Sequence, residues 1–394
     1  MIAVENSDEA GKRVGKIQPR ALYLCIALSL ALAVPSSIHA QMSQGLATGK
    51  DADPLAVSET IEPRGHVSFL VRAAWWEGGE NSEESGIIVL NPREPIGKRV
   101  ALLNLEGDAR HLEIPSVGAD VVGIKANRLG FVALTGKLVA GQFKAYQLSD
   151  RLQEVATVDF LTRQRQAAGR NEWGFYPVAV YDYTIVDGLL FGYGVFKYRP
   201  QRDFDGMGFF VAPLGEGSAS GGFALNTIAA KDEYYRLGFS YITSIGSSIY
   251  FIPMSDSPEL HRYDIYSDPA PVPMGYLPIG DSRLPKIELN KGDSLEEVLR
   301  PIGGLNGFPF ALLARDSSLY CLTRSRSSEG LPIWELEELQ IGLDAVTGVT
   351  KRRLPTQAEF IRVVSSPESL YILEKDADSQ FISRVVSVRW PSSK

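Results

Sequence analysis

Cysteine is nearly absent from this chain. Its 394 residues hold two, Cys25 and Cys321, and four histidines. Cys25 falls inside an apolar run near the start, which leaves Cys321 alone in the body and excludes a disulfide framework. Zinc wants three or four close Cys, His or carboxylate ligands. His66, His111 and His261 stand far apart, so no metal site is expected. Basic charge is also short: 40 Lys and Arg against 47 Asp and Glu give a net charge of −7. That balance argues against nucleic acid or an anionic membrane surface as partner. The chain has no Asn-X-Ser/Thr sequon, which favours a bacterial secretory setting. A Gly-x-Ser-x-Gly nucleophile elbow is missing too. Gly217-Ser218-Ala219-Ser220-Gly221 has Ala at its centre and reads as a flexible hairpin loop. Long hydrophobic runs are missing after residue 34.

The one apolar run lies at the start. Lys12, Arg13, Lys16 and Arg20 precede Ala21 to Val34, which is apolar except for Ser29. Pro35, Ser36 and Ser37 break the run, and Ile38-His39-Ala40 offers an aliphatic residue at −3 and a small one at −1. A basic segment, a short apolar segment and a small-residue site make a cleavable signal peptide over 1–40. About 14 residues rise only ~21 Å as a helix, short of the ~30 Å core of a bilayer. Residues 1–40 carry 4 basic and 3 acidic side chains, so the remainder holds 36 against 44. The expected location is extracytoplasmic, periplasmic or secreted.

Residues 41–64 are small and polar and read as a linker, with part of it free to contribute a closing strand. From 65 to 392 the chain is short runs rich in Val, Ile, Phe and Tyr between turn formers. Examples are Val67–Val71, Ile87–Leu90, Phe131–Leu134, Val178–Tyr181, Phe239–Ile242, Ile361–Val364 and Val385–Val388. Runs of this length bounded by Gly, Pro, Asn and Asp are strands. A helical insertion is expected near 281–305, where Ser294-Leu295-Glu296-Glu297 matches a capping box.

The strands repeat. Ser248-Ile249-Tyr250, Ser318-Leu319-Tyr320 and Ser369-Leu370-Tyr371 share a pattern, with looser copies at Phe69, Phe131 and Phe191. The aromatic positions are separated by 62, 60, 59, 70 and 51 residues. Leu148-Ser149-Asp150 and Tyr266-Ser267-Asp268 form a second landmark, 118 residues apart. Arg170-Asn171-Glu172-Trp173 and Lys231-Asp232-Glu233-Tyr234 form a third, echoed by Ala358-Glu359-Phe360. Four short strands per period make a twisted sheet with two apolar faces, and radial closure covers both. The expectation is an all-β propeller of six blades, with seven as the alternative and a pair of sandwiches as the competing architecture. Gly342-Leu343-Asp344-Ala345-Val346-Thr347-Gly348 resembles the turn of quinoprotein-type propeller repeats, and the Ser-Leu-Tyr strands resemble propeller blades generally. Lys351-Arg352-Arg353 stands where that turn would be followed by Trp. The resemblance therefore implies the fold and no cofactor.

Chemistry is sparse. Asp203-Phe204-Asp205-Gly206 and Asp376-Ala377-Asp378-Ser379 open like calcium loops but lack the closing Glu. Glu77–Glu84 reads as a solvated loop. Glu335, Glu337 and Glu338, interleaved with Leu336 and Leu339, read as the polar face of a strand. The segment 173–210 is rich in aromatics, and Tyr198, Arg199, Arg202 and Phe204 form a candidate contact loop. One set converges. Glu172, Glu233 and Glu359 each precede an innermost strand, and Arg170, Trp173, Lys231 and Tyr234 accompany two of them. At one mouth of a central channel these side chains suit a polar ligand, against the alternative that each Glu bonds backbone of the adjoining loop. The expected function is a binding or interaction module for a carbohydrate, peptide or protein partner, with no assigned catalytic residue. A glycan hydrolase or lyase with channel carboxylates, and a structural part of an envelope complex, are the alternatives.

Overall fold

The computed structural model describes residues 54–391 except 68–71, 78–84, 91–98, 113, 115–120, 128–129, 138–141, 150, 160–174, 199–204, 214–220, 224–240, 254–257, 268–270, 281, 283–304, 377–378 and 380. Along parts of the second and third sheets only the backbone is described. The expected signal peptide and nearly all of the expected helical insertion fall outside these residues. Among the described residues there is no helix, and hence none long and apolar enough to cross a membrane.

The described strands form six antiparallel sheets of four. The first sheet holds β2 (Arg72–Trp76), β3 (Gly86–Leu90), β4 (Val100–Asn104) and β5 (Ala109–His111). The second holds β6 (Val121–Asn127), β7 (Gly130–Lys137), β8 (Gln142–Leu148) and β9 (Glu154–Asp159). The third holds β10 (Phe175–Val186), β11 (Leu189–Tyr198), β12 (Asp205–Pro213) and β13 (Gly221–Phe223). The fourth holds β14 (Tyr241–Ile245), β15 (Ser248–Ile252), β16 (His261–Asp264) and β17 (Val272–Pro273). The fifth holds β18 (Phe308–Arg315), β19 (Ser318–Arg326), β20 (Pro332–Ile341) and β21 (Val346–Arg353). The sixth holds β22 (Phe360–Ser365), β23 (Ser369–Lys375) and β24 (Ile382–Arg389), with β1 (Val57–Ile61) paired outside β24.

Successive strands within a sheet pair antiparallel, and several of the described hairpins are closed by two-residue turns. Asp187 and Gly188 both take positive φ, 49° and 74°, between β10 and β11. A two-residue turn of that type matches the twist of the strands it joins, and Asp-Gly supplies it at low cost. Gly307, at φ 74°, also has no room for a side chain, because a Cβ there would collide with the carbonyl of Pro278.

The sheets stack face to face, and the core lies between them. Val186 and Phe191 meet Ile242, Ile249 and Phe251 between the third and fourth sheets. Tyr250, Ile252 and Leu260 meet Leu312, Leu319 and Cys321 between the fourth and fifth. Tyr320, Leu322 and Trp334 meet Ile361, Leu370 and Ile372 between the fifth and sixth. Val364, Tyr371 and Leu373 meet residues of the first sheet, whose other face meets Val121, Ile124 and Phe131 of the second. First strands also approach one another in order: β2 and β6, β6 and β10, β10 and β14, β14 and β18, then β22 and β2. The arrangement closes on itself, with first strands at the centre and fourth strands outside. That is a β-propeller.

The aromatic landmark marks one structural position. Phe131, Phe191, Tyr250, Tyr320 and Tyr371 sit on second strands, all buried between sheets. Phe69 does not share it. It precedes β2 and lies outside the described residues, and the second strand of its sheet carries Ile87 and Ile88, both fully buried. Aliphatic side chains fill that position in the first sheet, so a search for aromatics slides ahead by one strand.

Candidate functional site at the centre of the ring

Among the expected site residues, Glu359 alone is described. Arg170, Glu172, Trp173, Lys231, Glu233 and Tyr234 lie outside the described residues, as do Arg199, Arg202 and Phe204. Glu359 stands one residue before β22 and binds two arginines from the end of β19. Arg324 Nη1 donates to its Oε1 and to its backbone carbonyl, both at 3.3 Å. Arg326 Nη2 donates a short bond to the same Oε1. The guanidinium of Arg324 lies 4.9 Å over Phe310 and 5.7 Å from the ring of Trp334. Trp334 is itself fully buried and donates from Nε1 to the Ala358 carbonyl at 2.8 Å. The wedge ties the fifth sheet to the sixth. Burial pushes the Arg324 pKa down while Glu359 holds it up, as expected of a cation kept charged by its partner.

A second cluster belongs to the first strands. A bulge in β10 between Val180 and Asp182 re-aims the Asp182 side chain. Its Oδ1 accepts from Lys125 Nζ at 3.0 Å and from the Tyr183 N–H at 2.9 Å, and its Oδ2 accepts from the Ile242 N–H at 2.8 Å. Lys125 Nζ also donates to the Ile242 carbonyl at 2.6 Å. One amine from the second sheet thus reaches the first strand of the fourth. Sheets two apart come within a side chain's length only near the axis of a ring, so these groups line the centre. Thr184 and Ser244 hydroxyls meet at 3.2 Å beside them.

Tyr241 opens β14 next to this lock. Burial raises its phenol pKa far above the ordinary value, and the charges of Arg362, Asp182 and Arg324 all reach it. Those residues come from the sixth, third and fifth sheets. Arg362 is exposed on β22, opposite Leu373 of β23. Nothing local in the sequence flags Lys125, Asp182, Tyr241 or Arg362 as related. The available signal is the period: Lys125 and Asp182 are 57 residues apart and Asp182 and Ile242 are 60 apart, one repeat each.

A third polar cluster corrects an expectation. Glu337 does not lie on a polar strand face; its side chain is 2% exposed. Tyr276 Oη, Thr323 Oγ1 and Lys351 Nζ donate to it at 2.8, 2.9 and 2.8 Å. Three donors offset the loss of water around the carboxylate. Cys321 lies beside this group, fully buried, and burial together with Glu337 pushes its thiol pKa up. A thiol held protonated in this way is not a nucleophile. Among the described residues no group of three His, Cys, Asp or Glu side chains could hold a metal.

The class of protein is therefore a β-propeller with a polar centre. No protein-family model and no curated protein matches the sequence. Solved structures similar to this chain include the β-propeller domain of the Trilobed protease from Pyrococcus furiosus. That likeness has 9% identity and a TM-score of 0.35, covering 86% of this chain and 96% of that one. A mutant of AofleA from Arthrobotrys oligospora is similar at 9% identity and a TM-score of 0.40, over 88% of this chain and 94% of that one. The polysaccharide lyase Uly1 is similar at 10% identity and a TM-score of 0.39, over 81% and 77%. At these identities the likeness concerns the fold.

Proposed function

We propose that this protein is an exported six-bladed propeller that binds a polar ligand, a carbohydrate or a peptide, at the centre of its ring. Six four-stranded sheets with first strands following one another support counting one blade per sheet. The pattern of residues 12–40 supports export, and N-terminal sequencing of the secreted form checks cleavage after Ala40. The observation that carries the binding reading is the polar lining of the centre, where Lys125, Asp182 and Ile242 join three successive sheets. Ligand sites favour places where a few polar groups converge.

The test is binding of the purified protein to glycan and peptide arrays, followed by titration of any hit. A hit whose affinity falls in Glu359→Gln, Glu172→Gln or Glu233→Gln supports the reading. Absence of binding across both arrays removes it. Turnover of a glycan hit, lost in the Glu172→Gln and Glu233→Gln variants with the fold intact, replaces it with the hydrolase or lyase.

A further inference from the structure

The pair at the centre of the ring holds more hydrogen-bonding capacity than the fold uses. Lys125 Nζ donates to the Ile242 carbonyl at 2.6 Å, and Asp182 Oδ2 accepts the Ile242 N–H at 2.8 Å. β14 is an innermost strand whose other edge pairs with β15, so these two backbone groups mark its free edge, at the centre. An ammonium carries three donors and a carboxylate about four acceptor sites. Lys125 uses two donors, on Ile242 and on Asp182 Oδ1. Asp182 Oδ1 also accepts the Tyr183 N–H, whereas Oδ2 accepts once. Among the described residues, one N–H of Lys125 and one acceptor site of Asp182 Oδ2 are left over. Solvent reaches both side chains, which keep 33% and 21% of their exposure. Beside them the Thr184 and Ser244 hydroxyls meet at 3.2 Å, a contact that takes one of their two protons.

A group seated here accepts from an ammonium and donates to a carboxylate through neighbouring atoms, because Nζ and Oδ1 are only 3.0 Å apart. A charged ligand fits poorly: an anion would face Asp182, and a cation would face Lys125. A hydroxyl accepts and donates at once, and two hydroxyls on adjacent carbons set an acceptor beside a donor at that scale. The spare O–H of Thr184 and Ser244 extends the row toward a further hydroxyl. An extended peptide also offers N–H and carbonyl groups, but it is selected through pockets for alternate side chains. The pair is bordered by hydroxyls instead.

Resting on the central site proposed above, we infer that Lys125 and Asp182 clamp a vicinal diol. One hydroxyl accepts from Lys125 Nζ, its neighbour donates to Asp182 Oδ2, and the Thr184 and Ser244 pair meets the next. The ligand class is a neutral sugar, free or at the end of a glycan chain.

The purified protein is applied to a peptide array and to an array of neutral glycans, the latter before and after mild periodate oxidation. Periodate cleaves the bond between adjacent hydroxyl-bearing carbons and leaves isolated hydroxyls intact. The expected result is a neutral glycan hit that periodate abolishes. Asp182→Asn keeps an acceptor for the Ile242 N–H, and titration of that glycan into it is expected to read binding about tenfold weaker, the size of one charge-assisted bond. Ser244→Ala removes a half-buried hydroxyl and is expected to weaken binding less, by about threefold. Melting curves check the fold of each variant, and Ser244→Ala keeps the test decisive if Asp182→Asn unfolds. A glycan hit that survives periodate, or one that no folded variant weakens, overturns the diol clamp. So does a hit confined to peptides, which leaves a central polar site standing. Silence on both arrays overturns the clamp and the broader reading together.

Discussion

Two polar clusters in this ring use the same chemistry to opposite ends. Around Glu337 every polar group found a partner: three donors converge on one carboxylate that is 2% exposed. At the centre of the ring Lys125 and Asp182 are likewise satisfied, by one another and by the Ile242 backbone, but their side chains keep 33% and 21% of their exposure. Full satisfaction makes a buried polar group structural, and its removal leaves orphans that cannot reach water. A satisfied pair that stays partly exposed can turn to water when one partner is lost. The difference lies in exposure, since both clusters set a carboxylate against a lysine and further donors.

That contrast breaks most visibly at Glu337. Glu337→Ala is expected to cost about 3–5 kcal/mol, because Tyr276 and Thr323 lose their acceptor in the interior; denaturant unfolding reads it, and a loss below 1 kcal/mol would dissolve the distinction. Asp182→Ala comes next, at about 1–3 kcal/mol, through the Ile242 N–H it leaves without an acceptor. A pH effect follows. His261 stacks on Phe251 at 5.3 Å, and burial lowers its pKa below the ordinary 6.5. Between the two values the unfolded chain binds the proton and the folded chain does not, so stability is full above 6.5 and declines as pH falls below it. His261→Phe should flatten that part of the pH profile. Asp264 acts lower: hydrogen bonds from Ser247, the Tyr266 and Ser267 N–H groups and Ser248 hold its pKa at about 2 against 3.8. Its stabilisation is present above 3.8 and disappears as pH falls through about 2, and Asp264→Asn should remove that acid limb. The smallest effect sharpens the comparison from the other side. Cys321 should resist thiol reagents in the native protein and react once it unfolds.

Much of the fold was legible because hairpins write their own punctuation. Ser318-Leu319-Tyr320 follows a two-residue turn and begins a second strand, and the aromatic must bury against the next sheet, so the pattern recurs with the fold. It failed at Phe69, where Ile87 and Ile88 fill the equivalent place. Glu337 misled because alternation assigns a charge to the outside, and nothing local reveals that Tyr276, 61 residues away, reaches in to meet it. The place of Glu359 before an inner strand is legible in the repeat, and there it clasps Arg324 and Arg326. Lys125 and Asp182 carry no motif, because each is a single charge inside a strand. Their relation exists only once the repeats are wound into a circle.

The sixth sheet is woven from both ends of the propeller. Ser58 Oγ bonds the Ser387 carbonyl, 329 residues further along the chain, and β1 runs against β24 from Val57 to Ile61. During synthesis the earliest strand therefore waits for the last. Closing a loop of that length costs about 5 kcal/mol in chain entropy, met in one step when residues 382–389 arrive. Until then β1 has no partner strand, and the hairpin of β22 and β23 lacks its two outer strands. A chain stalled just short of that point is a sticky one, and a neighbour's β24 fits its β1 as well as its own does.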